Sequence, residues 1–122
     1  MDAVDPAPIL PRLDALLRDR LAERPEGSYS VALLTDPTLA QRKLMEEAFE
    51  VCLELQAADV DRPALAGEAA DLVFHLLAAL VAAGVAWADV EAALRDRHGR
   101  PARHSTYADD LAGGDDGPGG AS

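Results

Sequence analysis

Apolar residues recur along the first hundred positions at three- and four-residue intervals, the spacing of one face of an α-helix. Leu10, Leu13, Leu16, Leu17 and Leu21 form the first such set and predict a helix over about Pro11 to Glu23, with Pro11 suited to a first turn. Arg24-Pro25-Glu26-Gly27 stops it, and Ser28-Tyr29-Ser30-Val31 reads as a connector. Thr35-Asp36-Pro37 then supplies a cap followed by proline at the first helical position, opening a second helix that runs to about Ala57. Asp59-Val60-Asp61-Arg62-Pro63 is a break and a fresh start. The third helix spans about Pro63 to Ala83 and ends at Gly84, a left-handed terminator. A shorter fourth helix covers about Ala88 to Arg97, with Val90, Ala93 and Leu94 facing inward. No segment alternates as a strand does, and no repeat is present. The pattern predicts an all-α fold, a helical hairpin bundle of about four helices completed by oligomerisation.

Composition agrees with this pattern. Almost half of the 122 residues are hydrophobic, chiefly Ala, Leu and Val, which favour helices. The chain divides into an N-terminal extension over 1–9, a helical domain over 10–98 and a tail over 99–122. Gly113-Gly114-Asp115-Asp116-Gly117-Pro118-Gly119-Gly120 has too little apolar surface to order itself, so the tail is expected to be disordered. Eleven basic residues against 22 acidic ones give a net charge of −11. Such a surface repels nucleic-acid backbones and anionic lipid, so neither nucleic acid nor membrane is an expected partner. The N-terminus lacks the basic and apolar regions of a signal peptide, and Leu72 to Val85, interrupted by His75, falls short of a membrane span. The lone Cys52 lies within an apolar helical pattern and reads as a buried thiol in a reducing cytoplasm.

The acids carry the chemistry. Glu47 and Glu50 on the second helix lie three residues apart, within about 60° of each other around the axis, and Glu68 and Asp71 repeat that spacing on the third. An antiparallel hairpin brings the two pairs to comparable heights. Four converging carboxylates repel one another unless a cation lies among them, and hard oxygen ligands suit Mg²⁺. Such an ion can neutralise a pyrophosphate and polarise an attacking water, which Glu46, just off the stripe, is placed to hold as a base. A charged stripe is ordinarily only a solvated face. Here Glu50 sits in an apolar run, Ala48-Phe49 and Val51-Cys52-Leu53, and Glu68 and Asp71 share their stripe with Ala64, His75 and Ala79 instead of with cations. These neighbours favour the metal reading.

Glu47-x-x-Glu50, seventeen intervening residues and Glu68-x-x-Asp71 together resemble the signature of the all-α nucleotide pyrophosphatase superfamily, which includes MazG-type enzymes and dimeric dUTPases. Three segments narrow the resemblance to phosphoribosyl-ATP pyrophosphatase. They are Pro25-Glu26-Gly27-Ser28-Tyr29-Ser30, Lys43-Leu44-Met45-Glu46-Glu47-Ala48-Phe49-Glu50-Val51 and Glu68-Ala69-Ala70-Asp71-Leu72-Val73-Phe74-His75. The likeness spans about Leu10 to His98. It departs from the pattern at Met45, where the family commonly has glycine, at Phe74, where it has tyrosine, and at Glu54, a fifth acid one turn beyond Glu50.

The resemblance implies hydrolysis of phosphoribosyl-ATP to phosphoribosyl-AMP and pyrophosphate by a Mg²⁺-dependent cytoplasmic homodimer or higher homo-oligomer. It implies Glu47, Glu50, Glu68 and Asp71 as metal ligands. Lys43, four residues before Glu47, reads either as an intrahelical ion pair or as a phosphate clamp. His75, four residues after Asp71, reads as a structural histidine or as a phosphate or supporting group. Ser28 and Tyr29 are candidates to line the substrate pocket. Arg95 and Arg97 favour their helix dipole and are also candidates for a phosphate. Two other functions fit the pattern less well: a house-cleaning (d)NTP pyrophosphatase with the same metal chemistry, and a non-catalytic helical interaction module, which would be expected to have lost one of the four acids.

Overall fold

The computed structural model describes residues 8–99, and the expectations for the N-terminal extension and the tail fall almost wholly outside them. Five helices account for these residues: α1 (Ile9–Glu23), α2 (Tyr29–Thr35), α3 (Pro37–Leu55), α4 (Arg62–Ala82) and α5 (Trp87–His98). There is no strand among the described residues. The described residues fall into two units, one ending at Trp87 and the other beginning at Ala88.

Local chemistry sets the helix boundaries. The Leu39 N–H donates to Asp36 Oδ1 at 3.1 Å, and the Ala64 N–H donates to Asp61 Oδ1 at 3.1 Å, each filling an open donor of a first turn. Proline follows in both first turns. The end of α4 depends on Gly84, whose φ of 80° lets the Gly84 N–H reach Val81 O at 3.0 Å and the Val85 N–H reach Leu80 O at 2.8 Å. That pair of bonds is a Schellman closure. Helix α1 ends in the same conformation without glycine: Arg24 takes φ 50°, its N–H donates to Arg20 O, and its Nε–H donates to Leu21 O at 3.1 Å.

The expected connector over Ser28–Val31 is instead the start of α2. Ser28 is its N-cap, with Oγ accepting from the Val31 N–H at 3.3 Å. Seven residues are too few for periodicity to show, but α2 supplies Leu33 and Leu34 to the core. There they meet Leu17 of α1 and Leu77, Ala78 and Val81 of α4, with Phe74 and Trp87 packed around them. Asp14 is buried beside this core. It is held by Arg18 at 2.8 Å and accepts from the Trp87 N–H at 3.4 Å.

Helix α4 is the hub, packing against α1, α2 and α3, and its hairpin with α3 is the most extensive pairing. Contrary to the sequence expectation, its 21 residues are long and apolar enough to cross a membrane by composition. Contact with three neighbours gives that apolarity a use inside the bundle. Helix α3 contributes only Ala40 as a fully buried residue and leaves Met45, Phe49 and Leu53, four residues apart, as an exposed stripe. Cys52 is likewise exposed and not buried, because α3 meets α4 along one side only. In the second unit α5 is the sole described helix and has no fully buried residue; Leu94, expected to face inward, is 48% exposed.

This architecture makes two stability predictions. Leu77→Ala, at a fully buried position, should cost about 2–5 kcal/mol, a large part of the stability of a domain this size. Asp61→Ala should cost about 1 kcal/mol through loss of its cap. Urea denaturation of both variants measures the two values, and a smaller loss for Leu77 than for Asp61 would contradict the assigned core.

Candidate metal and substrate site

The α3–α4 hairpin brings carboxylates together from two segments more than twenty residues apart in sequence. Glu47, Glu68 and Asp71 each offer an oxygen within 4.8 Å of the others. Oxygens on opposite sides of a magnesium ion lie about 4.2 Å apart, so the separation fits chelation of one small hard cation. Glu47 and Glu68 are half-buried and Asp71 is exposed, leaving the site open on one side. Glu50 is exposed and outside this trio, but close enough for its charge to act on Glu68. The Glu68 carboxyl is raised above its ordinary value, first by burial, then by the charges of Glu50, Asp71, Glu47 and Glu54 in decreasing order. A cation among the carboxylates would oppose that repulsion by favouring the charged form of each.

Lys43 borders the acids. Its Nζ lies 3.1 Å from Glu46 and 3.9 Å from Glu47. The hydrogen bond and charge of Glu46 raise the Lys43 pKa most, with Tyr29 and then Glu47 adding. Glu46 also meets Arg42 at 3.7 Å, a contact that the acid pattern did not disclose. Its carboxylate is therefore held between two cations, beside the trio and outside it.

One turn along α4 from Asp71, His75 is 7% exposed. Its Nδ1 is 2.7 Å from the backbone oxygen of Asp71, and its Nε2 is 2.9 Å from the hydroxyl of Tyr29. Tyr29 and Phe74 both meet the imidazole edge to face, with centroids 5.9 and 5.3 Å away. Tyr29 and Ser28 also line an open groove of about 650 Å³ formed by the segment from Arg24 to Ala32. A hydrogen bond between residues 29 and 75 thus ties the groove to the helix that carries Glu68 and Asp71.

The phosphoribosyl-ATP pyrophosphohydrolase family model matches residues 10–98. The chain belongs to this family. It is 43% identical over 91 residues to a phosphoribosyl-ATP pyrophosphatase of Caulobacter vibrioides, covering 75% of this chain and 83% of that one. A histidine biosynthesis bifunctional protein of Deinococcus radiodurans is 48% identical over 93 residues, 75% of this chain and 41% of that protein. A histidine biosynthesis trifunctional protein of Neurospora crassa is 42% identical over 85 residues, 70% of this chain and 9% of that protein. The chain therefore spans less than half of the two multifunctional relatives and most of the Caulobacter one. No solved structure matches it.

Within this member of the family, the structure gathers Glu47, Glu68 and Asp71, sets Glu50 at their margin, and places Lys43 and Glu46 beside them. Tyr29 and His75 are paired, a relation across 46 positions that no local pattern signals. Arg95 and Arg97 lie in the second unit, where Arg95 pairs with Glu91 at 3.5 Å and Arg97 donates to Ala93 O at 3.4 Å. Met45, in place of the family's common glycine, is 68% exposed and crowds nothing in the single chain. Phe74 keeps an aromatic edge against His75 without a hydroxyl.

The raised Glu68 pKa has a testable sign. Its charged form is disfavoured by folding, so the penalty is full above the raised folded value and disappears once pH falls below the ordinary carboxylate range. Glu68→Gln should therefore raise the metal-free Tm at pH 7, with no gain near pH 3. Mg²⁺ or Mn²⁺ is expected to raise the Tm of the unsubstituted chain, and the same variant should lose most of that increase. Calorimetry at both pH values, with and without metal, checks both signs.

Proposed function

We propose that this chain hydrolyses phosphoribosyl-ATP to phosphoribosyl-AMP and pyrophosphate, the second step of histidine biosynthesis, in the cytoplasm and with Mg²⁺ as cofactor. The observation that carries this reading is the convergence of Glu47, Glu68 and Asp71 within 4.8 Å on one hairpin, in a chain of this family. Glu47, Glu50, Glu68 and Asp71 would hold the metal, which supplies Lewis acidity and charge neutralisation at the phosphoanhydride. Glu46 holds the attacking water as base. Lys43, already at the rim of the acids, provides the cation that a phosphate needs near so many carboxylates. Ser28 and Tyr29 bind the nucleotide at the groove, His75 supports that binding through its contact with Tyr29, and Arg95 and Arg97 are candidates for the additional phosphate of the phosphoribosyl arm.

Glu47→Gln and Asp71→Asn should each abolish turnover while the chain still melts cooperatively, since each removes a metal ligand and also relieves repulsion. Phosphoribosyl-ATP should be turned over orders of magnitude faster than ATP, dCTP or dUTP, because binding energy from the remote arm can be used in the transition state. Lys43→Ala should slow every substrate, whereas changes at Arg95 or Arg97 should hurt phosphoribosyl-ATP selectively. Steady-state kinetics on that panel decides the matter; equal rates on phosphoribosyl-ATP and a plain triphosphate would favour the house-cleaning pyrophosphatase instead.

The exposed stripe of Met45, Phe49 and Leu53 supports the second part of the reading, assembly as a homodimer or higher homo-oligomer. Sedimentation at micromolar concentration should give a species larger than one chain, and Phe49→Glu should shift it towards the monomer. A monomeric unsubstituted chain would contradict this assembly.

A further inference from the structure

Helix α3 carries Arg42 and Lys43 as its only lysine or arginine residues, five and four positions before Glu47. Helix α4 adds only Arg62, at its first residue. Both cations of α3 are held by one carboxylate. Lys43 Nζ lies 3.1 Å from Glu46 Oε2, and Arg42 Nε lies 3.7 Å from Glu46 Oε1, a charge contact longer than a hydrogen bond. With a cation on each oxygen, Glu46 occupies the place that two oxygens of a phosphate would take. The hold is weak, because Arg42 and Glu46 are exposed and ion pairs in water contribute little. An ordinary helix-stabilising pair needs one cation. Here the second, Lys43, is half-buried and also lies 3.9 Å from Glu47, on the side of the acid trio.

We propose that Arg42 is a further substrate-binding residue, forming with Lys43 a two-cation clamp for a phosphate group of the nucleotide, and that Glu46 occupies the clamp until that phosphate displaces it. The inference rests on the nucleotide hydrolysis proposed above and adds to it one residue and one exchange. The exchange has a favoured direction. A diphosphate carries more charge than one carboxylate and offers more oxygens, so it wins both cations from an exposed Glu46. The planar guanidinium of Arg42 can meet two phosphate oxygens at once, whereas Glu46 reaches it only at ion-pair distance. Because Lys43 also borders Glu47, the clamp lies beside the acids that would hold the metal, and one polyphosphate can engage both. Displaced from its two cations, Glu46 is released beside Glu47, where the water-holding role assigned to it above requires it.

Calorimetric titration of the full chain with inorganic pyrophosphate in the presence of Mg²⁺ reads the clamp without turnover. Arg42→Gln should weaken binding about ten-fold, the size of one lost charge-assisted contact, and Arg42→Lys should lose less. Glu46→Gln should tighten binding about two- to five-fold, because the competing anion is gone. That sign separates the exchange from a merely structural Glu46, whose loss would leave affinity unchanged, and from a metal-holding one, whose loss would weaken it. Either of those results overturns the proposal. In an Arg42→Gln background, Glu46→Gln should tighten binding less than it does alone. A gain independent of Arg42 is only relief of repulsion between anions and overturns the exchange. Unchanged affinity in Arg42→Gln, or an unsubstituted chain that binds no pyrophosphate, overturns the clamp. Steady-state kinetics on phosphoribosyl-ATP supplies the second arm. Arg42→Gln should raise KM about ten-fold with a smaller change in kcat, whereas Glu46→Gln should lower kcat without raising KM. A fall in kcat at unchanged KM in Arg42→Gln contradicts the binding role. If the unsubstituted chain binds pyrophosphate but ignores phosphoribosyl-ATP, the activity assignment fails and the titration still decides the clamp.

Discussion

The rest of the site depends on holding like charges together. Glu47, Glu68 and Asp71 would separate in an unrestrained chain, and the packing of α3 against α4 prevents it. The hairpin spends apolar burial on a cluster that folding disfavours, visible in the raised Glu68 carboxyl. A helix pair suits this purpose because each backbone is rigid and internally hydrogen-bonded, so repulsion between the acids cannot be relieved by local movement of the backbone. Arg42 and Lys43 offset the edge at Glu46, Lys43 also reaches Glu47 at 3.9 Å, and Glu68 and Asp71 lie on the other helix of the pair.

Helix α2 connects this electrostatic feature to the groove. It is too short to be stable alone, and it persists because Ser28 caps it and Leu33 and Leu34 enter the shared core. Once docked, it presents Tyr29, which lines the Arg24–Ala32 groove, to His75 of α4. The same seven residues thus give Leu33 and Leu34 to the core and Tyr29, Val31 and Ala32 to the groove. That arrangement lets one buried histidine tie the wall of the groove to the helix that carries Glu68 and Asp71.

Much of the fold was legible because its signals are local. Asp36-Pro37 and Asp61-Arg62-Pro63 state their helix starts in side-chain chemistry, and Gly84 states an end through the one backbone conformation it tolerates best. Helix α2 was not legible: its capping serine was present, but one hydrophobic turn cannot be told from a loop by spacing. Cys52 and Leu94 were misplaced for a related reason. Periodicity marks an apolar face without saying whether the matching face lies in the same chain.

By itself the sequence determined the helices, their caps and the paired i, i+3 acids, because each depends on interactions within a few residues. It also carried the family resemblance that the comparisons bear out. Tertiary structure decided which three acids share an ion-sized space and which acid Lys43 holds most closely. It also brought the carbonyl of Asp71 and the hydroxyl of Tyr29 to the two ring nitrogens of His75. Those outcomes follow from the rotation and height of one helix against another. Side-chain packing across the interface fixes both, and no local pattern in the sequence records them.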